Sequence, residues 1–416
     1  MAEITRRTLF GYSGAVGVVG AAATAGAAGA GGLVAGAVLG RESAAGAGAT
    51  ADGNQQLAFY GTHQPGIEAP VQAQGWLTAF DLKPGTTTTQ LRALMREWTS
   101  IAAATMAGEP LPSADDAMAL GRGPGALTVT VGVGASLLTK LGLGHRIPEA
   151  LTPLPTFLGD DLDADASNGD LVVLVAANDG LVAVHALRAM QRSAAAVAGQ
   201  RWQVNGFGEA AGVMPSPTAT PRNLMGQLDG TGNPKPGTAA FDRTVYVPAD
   251  GDPAWMRGGT YLVYRRIRML LDTWDALDRG QQEAAIGRDK ATGAPLSGGT
   301  EFTAPDYGKF SPEGALLIPP GSHIRQASAQ LNAGATIYRR PLSYYNGRRA
   351  DGAPDAGLHF LAYQRDPASG FTAIQQRLAG ADTLSTYIRH EASGLFAILP
   401  GCSEGGYLGE TLLESA

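Results

Sequence analysis

Residues 126–133, ALTVTVGV, alternate apolar and small polar side chains with the period of two that marks a half-buried strand. Upstream, Thr86–Thr89 offers an N-cap to a helix with Leu91, Leu94, Met95, Trp98 and Ile101 on one face. Downstream, Leu171–Val175 is a short apolar run that fits a buried strand, and Val182–Val197 has the spacing of a second amphipathic helix. The same grammar returns later. Residues 259–269, GTYLVYRRIRM, read as a strand, and a helix through Leu271, Trp274 and Leu277 follows. His359–Gln364 then reads as a strand, followed by a helix carrying Phe371, Ile374 and Leu378. Two halves in a β-α-β-β-like order predict an α+β protein built of two similar domains, each an antiparallel sheet with helices on one face. Residues 214–221, MPSPTATP, separate them, and further breaks fall at 290–299 and 346–357. No short-period repeat is present, which argues against solenoids and propellers.

The chain has 416 residues, 44% hydrophobic and 16% charged, enough to bury a sizeable core. A net charge of −6 leaves no basic footprint for nucleic acid. The single cysteine, Cys402, excludes an intrachain disulfide and any multi-cysteine zinc or iron–sulfur site. At the N-terminus, TRRTLF (residues 5–10) sets two arginines before a run from Phe10 to Gly40 that has no charge. This pattern reads as a twin-arginine signal, with small-x-small cleavage sites around Ala45–Ala51. A membrane anchor is the competing reading, and the Gly/Ala-rich run is weakly hydrophobic for that role. Residues 1–50 are therefore expected to be a signal peptide and linker, and the protein to be periplasmic or extracellular.

Six histidines are available: His63, His145, His185, His323, His359 and His390. None lies in an HExxH or His-x-His arrangement, and neither a Gly-x-Ser-x-Gly elbow nor a Walker loop occurs. His185 and His359 sit in apolar periodic segments, where a structural role is the stronger reading. Two stretches carry more: 222–234, RNLMGQLDGTGNP, and 322–325, SHIR, followed by IYRR at 337–340. Alone, Asp-Gly-Thr-Gly-Asn-Pro reads as a turn.

Taken with FYGTHQPGI at 59–67, YLV at 261–263 and IGRDKATGAP at 286–295, these stretches resemble the dye-decolorizing peroxidases in order and spacing. Gly226-x-x-Asp229-Gly230 matches the family's GxxDG motif. The resemblance implies two ferredoxin-like domains of the dimeric α+β barrel type, at 56–213 and 222–412, with haem b bound in the C-terminal half. His323 would be the proximal iron ligand, since a neutral imidazole suits ferric haem. Asp382 is a candidate acceptor for its other nitrogen, a helix-surface aspartate being the competing reading. Asp229 would be the distal carboxylate and Arg339, the first of the arginine pair, the distal arginine. A carboxylate can shuttle the proton that peroxide must move before its O–O bond breaks, and a guanidinium stabilises the departing oxygen. Gly230, Thr231 and Gly232 would bring backbone close to the haem plane, and Arg325 would pair a propionate or make a surface salt bridge. Gln227-Leu228 stands where Phe and Lys are frequent in the family, and Pro341 where a glycine is common.

The activity implied is reduction of hydrogen peroxide through an oxoferryl intermediate, with oxidation of dyes, phenols or other bulky one-electron donors. A second implied role is that of the family's deferrochelatases, which release iron from haem within an iron-uptake system. A haem carrier without turnover is disfavoured, because it needs neither Asp229 nor Arg339. The expected partners are peroxide, organic reductants, the twin-arginine export machinery and iron-uptake proteins; a homo-oligomer is compatible with the sequence. Trp255, Trp274, Tyr344 and Tyr345 are candidate electron relays, with plain core positions as the alternative.

Overall fold

The eight strand and helix patterns above belong to one arrangement: two four-stranded antiparallel sheets joined edge to edge. The computed structural model describes residues 54–112, 115–210, 212–216 and 218–414; the expected twin-arginine leader lies outside the described residues. The first half contains β1 (Gln74–Leu82), α1 (Thr88–Ala107), β2 (Thr128–Val133), α2 (Ala135–Lys140), β3 (Leu171–Ala177), α3 (Gly180–Ala194) and β4 (Ala198–Phe207). The second contains α4 (Ala239–Val245), β5 (Thr260–Met269), α5 (Leu271–Asp275), α6 (Arg279–Ile286) and α7 (His323–Gln326). It continues with β6 (Tyr338–Arg339), β7 (Leu342–Arg348), β8 (Pro354–Gln364), α8 (Ala373–Ala381), β9 (Ile388–Ile398) and α9 (Glu410–Leu413).

In the first half the strands lie in the order β4-β1-β3-β2, and in the second β7-β8-β5-β9. With β6 and β7 counted as one interrupted strand, both are the ferredoxin-like order. Pro341 explains the interruption, because it has no N–H to give the ladder. Two short seams join the halves: Gly132↔Ile398 and Val133↔Ala397 on one side, Phe207↔Ser343 on the other. The sheet thereby closes into a barrel, and the α+β expectation holds.

Alternation along each strand sends one set of side chains into the barrel and the other towards the helices. Leu77, Val172, Leu174, Leu262, Tyr264, Leu361 and Phe396 pack together inside. On the outer face of the first half, Leu91, Leu94 and Trp98 of α1 pack on Val129, Val131, Leu171 and Val173. A capping box between Thr87 and Gln90 starts α1, and Gly108 at φ +74° ends it.

The helix expected through Val197 stops at Ala194, because β4 begins at Ala198. β1, β4, β7 and β9 have no separate expectation in the sequence reading. β4 shows the reason: its burial follows no strict alternation, and pairing with β1 alone secures most of it. Of the candidate relay aromatics, Trp255, Trp274 and Tyr344 are core residues, and only Tyr345 is exposed.

Candidate active site

The outer face of the second half is built differently. Ile267 and Met269 of β5, Leu358 and Phe360 of β8, and Ile388 of β9 line a cavity of about 540 Å³, and Met269 and Leu358 also join a small buried cluster with Trp274 of α5 and Ile286 of α6. α7, α8 and the 223–232 loop supply the rest of its wall.

His323 is the first residue of α7 and lines this cavity. Its Nδ1 lies 2.7 Å from Oδ2 of Asp382, whose side chain is almost fully buried. Asp382 ends α8, and its other oxygen accepts the N–H of Leu384 at 3.0 Å, so the carboxylate is held from two sides. Burial pulls the imidazole pKa down, but the Asp382 carboxylate outweighs it and the net shift is upward. With Nδ1 committed, Nε2 is the nitrogen left to act as a ligand.

Asp229 and Arg339 share the cavity with His323. Arg339 donates from a guanidinium nitrogen to Asp229 Oδ1 at 2.5 Å, and Asn223 donates to Oδ2 at 3.3 Å. The loop that delivers Asp229 needs glycine at Gly226 (φ +77°) and Gly230 (φ +143°), where side chains other than glycine's are strained. Asn233 pairs with both the N–H and the C=O of Arg339, imitating a neighbouring strand. Strand alternation separates the two arginines. Arg340 is buried on the opposite face and donates to Ala69 O, Pro70 O and Gln72 Oε1. A second chamber of about 690 Å³ adjoins the first and shares Asp229, Gly230, Thr231 and Arg339 with it; Pro341 lies in its wall.

Residues 64–208 match the model of the Dyp-type peroxidase N-terminal domain, and residues 220–403 that of the C-terminal domain. A dye-decolorizing peroxidase from Thermobifida fusca is 44% identical over 360 residues, covering 84% of each chain. The chain belongs to the Dyp-type peroxidase family. A deferrochelatase from Yersinia pseudotuberculosis is 36% identical, with 87% of this chain and 86% of that protein covered. The structure of ferric DtpA from Streptomyces lividans superimposes with a TM-score of 0.86 at 51% identity, covering 89% of this chain and all of that one. This Dyp-type peroxidase is thus an oxidoreductase acting on peroxide, with haem as its cofactor.

The residues present fit that cofactor. The cavity has an apolar floor, an imidazole with one free nitrogen, and a volume within the range of cofactor sites. Gly230, Thr231 and Gly232 all line it, and the Thr231 hydroxyl is held by Glu301 at 2.8 Å. Arg325 is placed elsewhere. Its guanidinium donates to Tyr307 O at 2.6 Å and Ile318 O at 2.8 Å, lies over the Tyr307 ring, and is not part of the cavity wall. The arginine that does line the cavity beside Arg339 is Arg288. It sits inside the matched IGRDK stretch, yet nothing in that string separates it from its neighbours. His390 also lines the cavity, and burial pushes its pKa down to about 3. His359 lies in the barrel stacked on Tyr344, its pKa likewise pushed down to about 3 by burial.

Proposed function

We propose that the protein is a haem b peroxidase for bulky one-electron donors such as dyes and phenols, exported through the twin-arginine route. The observation that carries the reading is the 2.5 Å Asp229–Arg339 ion pair in the same cavity as the His323–Asp382 pair. His323 would hold the iron through Nε2, with Asp382 fixing the ring and raising its basicity. Bound haem supplies the redox centre that passes two electrons to peroxide and recovers them singly from donors. Asp229 takes the proton from one peroxide oxygen and delivers it to the other, so the O–O bond breaks with water as leaving group. Arg339 holds Asp229 in position and stabilises charge on the departing oxygen. The balance is one peroxide and two hydrogen donors to two waters and two donor radicals. The adjoining chamber is lined by both members of this ion pair and suits peroxide entry.

His323→Ala should abolish the Soret band of the reconstituted protein; a band and turnover equal to wild type would refute the ligand role. Asp229→Asn and Arg339→Leu should keep haem and slow the reaction with peroxide, by roughly 10²–10⁴-fold where proton transfer is lost. The relatives that carry the name deferrochelatase support a second reading, release of iron from haem. Incubation with haem followed by assay for free porphyrin separates the two. Replacing Arg6 and Arg7 by lysine should block export of the full chain if the leader works as proposed.

A further inference from the structure

Among the described residues, one group of three acidic or imidazole side chains brings its ligand atoms within 4.8 Å of one another: Asp115, Asp116 and His185. It lies in the first half, where α3 meets the 109–123 segment. His185 and Asp115 line a hollow of about 260 Å³ that shares no residue with the haem cavity.

Two neighbouring aspartates alone would be a solvated loop. His185 makes the difference, because its side chain is only 5% exposed. Its Nδ1 lies 2.8 Å from Asp116 Oδ1, so a neutral ring donates from Nδ1 and keeps its lone pair on Nε2. Nε2 has no hydrogen-bond partner; the atom nearest to being one is Asp115 Oδ1, at 3.8 Å. Two acceptors thus face each other across a gap too long for a hydrogen bond. A buried acceptor without a donor is costly, and a cation in the gap would satisfy both.

The charges around the gap are uneven. Asp116 is met by Arg192 at 2.9 Å and Arg188 at 3.7 Å, both from α3. Asp115 pairs with no arginine or lysine among the described residues. Its two oxygens accept the N–H groups of Leu111 and Ala117, which fix where the carboxylate points. Arg122 also lines the hollow but is committed to Asp179 at 2.6 Å, and Glu109 adds a further carboxylate to the wall. The unmatched negative charge is therefore beside Nε2.

Spacing and donor type narrow the cation. Two ligands held at about 2.1 Å from one zinc ion stand roughly 3–4 Å apart, and the Nε2–Oδ1 separation of 3.8 Å falls within that span. Imidazole with carboxylate suits a zinc-like ion, whereas calcium and magnesium take oxygen alone. Asp116 stands where a carboxylate orients a metal-ligating histidine through its other nitrogen.

We propose that His185 Nε2 and Asp115 bind a divalent transition-metal ion of the zinc type, with Glu109 and water completing its shell and Asp116 holding the ring. The ion ties the 109–123 segment to α3 and takes no part in peroxide chemistry. The inference is independent of the haem reading.

The test is calorimetric titration of chelator-washed, haem-loaded protein with zinc chloride at neutral pH. Wild type should bind zinc at micromolar concentration with its Soret band unchanged. Asp115→Asn and His185→Gln should each weaken binding about tenfold or more, and Asp116→Asn about 10–100-fold. Asp115→Asn, on an exposed loop, decides the matter if His185→Gln folds poorly. Zinc binding that both variants match would overturn the assignment. No binding by wild type would overturn it too, since a proton would then be what fills the gap. A Soret band that shifts with zinc, in wild type and variants alike, would place the ion in the haem cavity and refute this site.

Discussion

In the first half of the barrel, α1 and α3 lie directly on the sheet, and Trp98 sits fully buried against it. In the second half, the corresponding face of β5, β8 and β9 looks onto about 540 Å³ of cavity, with α7 and α8 beyond. The strand order is the same in both, so topology does not make the difference. The crossovers do. The chain goes from β1 to β2 through residues 83–127, which hold one helix of 20 residues, but from β5 to β6 through residues 270–337. That longer crossover carries short helices and turns, and it delivers Arg288 and His323. A continuous helix buries its apolar stripe against the sheet; short segments stand off and present single polar side chains. The comparison teaches that one fold yields a dry core or a site according to what crosses over it.

Core truncation tests the comparison most severely. Trp98→Ala should cost roughly 3–5 kcal/mol in urea unfolding of the haem-free protein. Phe360→Ala, which removes a ring beside the cavity, should cost clearly less; equal losses would mean that the second half is as tightly packed as the first. Next comes Asp382→Asn, expected to weaken haem retention about 10–100-fold by competition with apomyoglobin. An unchanged affinity would show that the pair does not tune the site.

The third prediction concerns pH. His359 and His390, both in the second half, have pKa values of about 3 when folded, well under the ordinary 6.5, because burial disfavours the charged form. The unfolded chain therefore binds more protons below pH 6.5. The stability these histidines contribute is complete above that pH and is lost as pH falls towards 3, by about 1.4 kcal/mol per unit for each group. Around His359 stand Tyr264, Tyr344, Arg266 and Asp355, and around His390 stand Arg265 and Gln375. Replacing His359 by Gln should remove one histidine's share of the slope between pH 6 and 4. A slope equal to wild type would sink the assignment. The smallest effect is expected in the first half: Thr87→Ala should cost about 1 kcal/mol through loss of the α1 capping box.

Much of the fold was legible wherever an element carried its own periodicity. The residues Leu91, Leu94, Met95, Trp98 and Ile101 marked α1, and ALTVTVGV marked β2 to within two residues. β4 and β7 were not legible, because their side chains lie partly exposed and their strand state comes from partners. In the site, the histidine, aspartate and arginine could be read from motifs. That Arg288 and not Arg325 lines the cavity could not, since both are arginines in matched stretches and only packing shows which one meets it.

Local spacing therefore determined helices α1, α3, α5 and α8, strands β2, β3, β5 and β8, the charge-free run after the paired arginines and the motif residues, because each of these is written within a few neighbouring positions. Tertiary structure alone decided the rest. It closed the barrel through seams of one and two residue pairs, and it brought His323 to Asp382 across 59 positions and Arg339 to Asp229 across 110. It turned Arg339 to the cavity and Arg340 away from it. Separations of that length leave no periodic trace in a sequence; they are set by which faces must be buried when the two sheets meet.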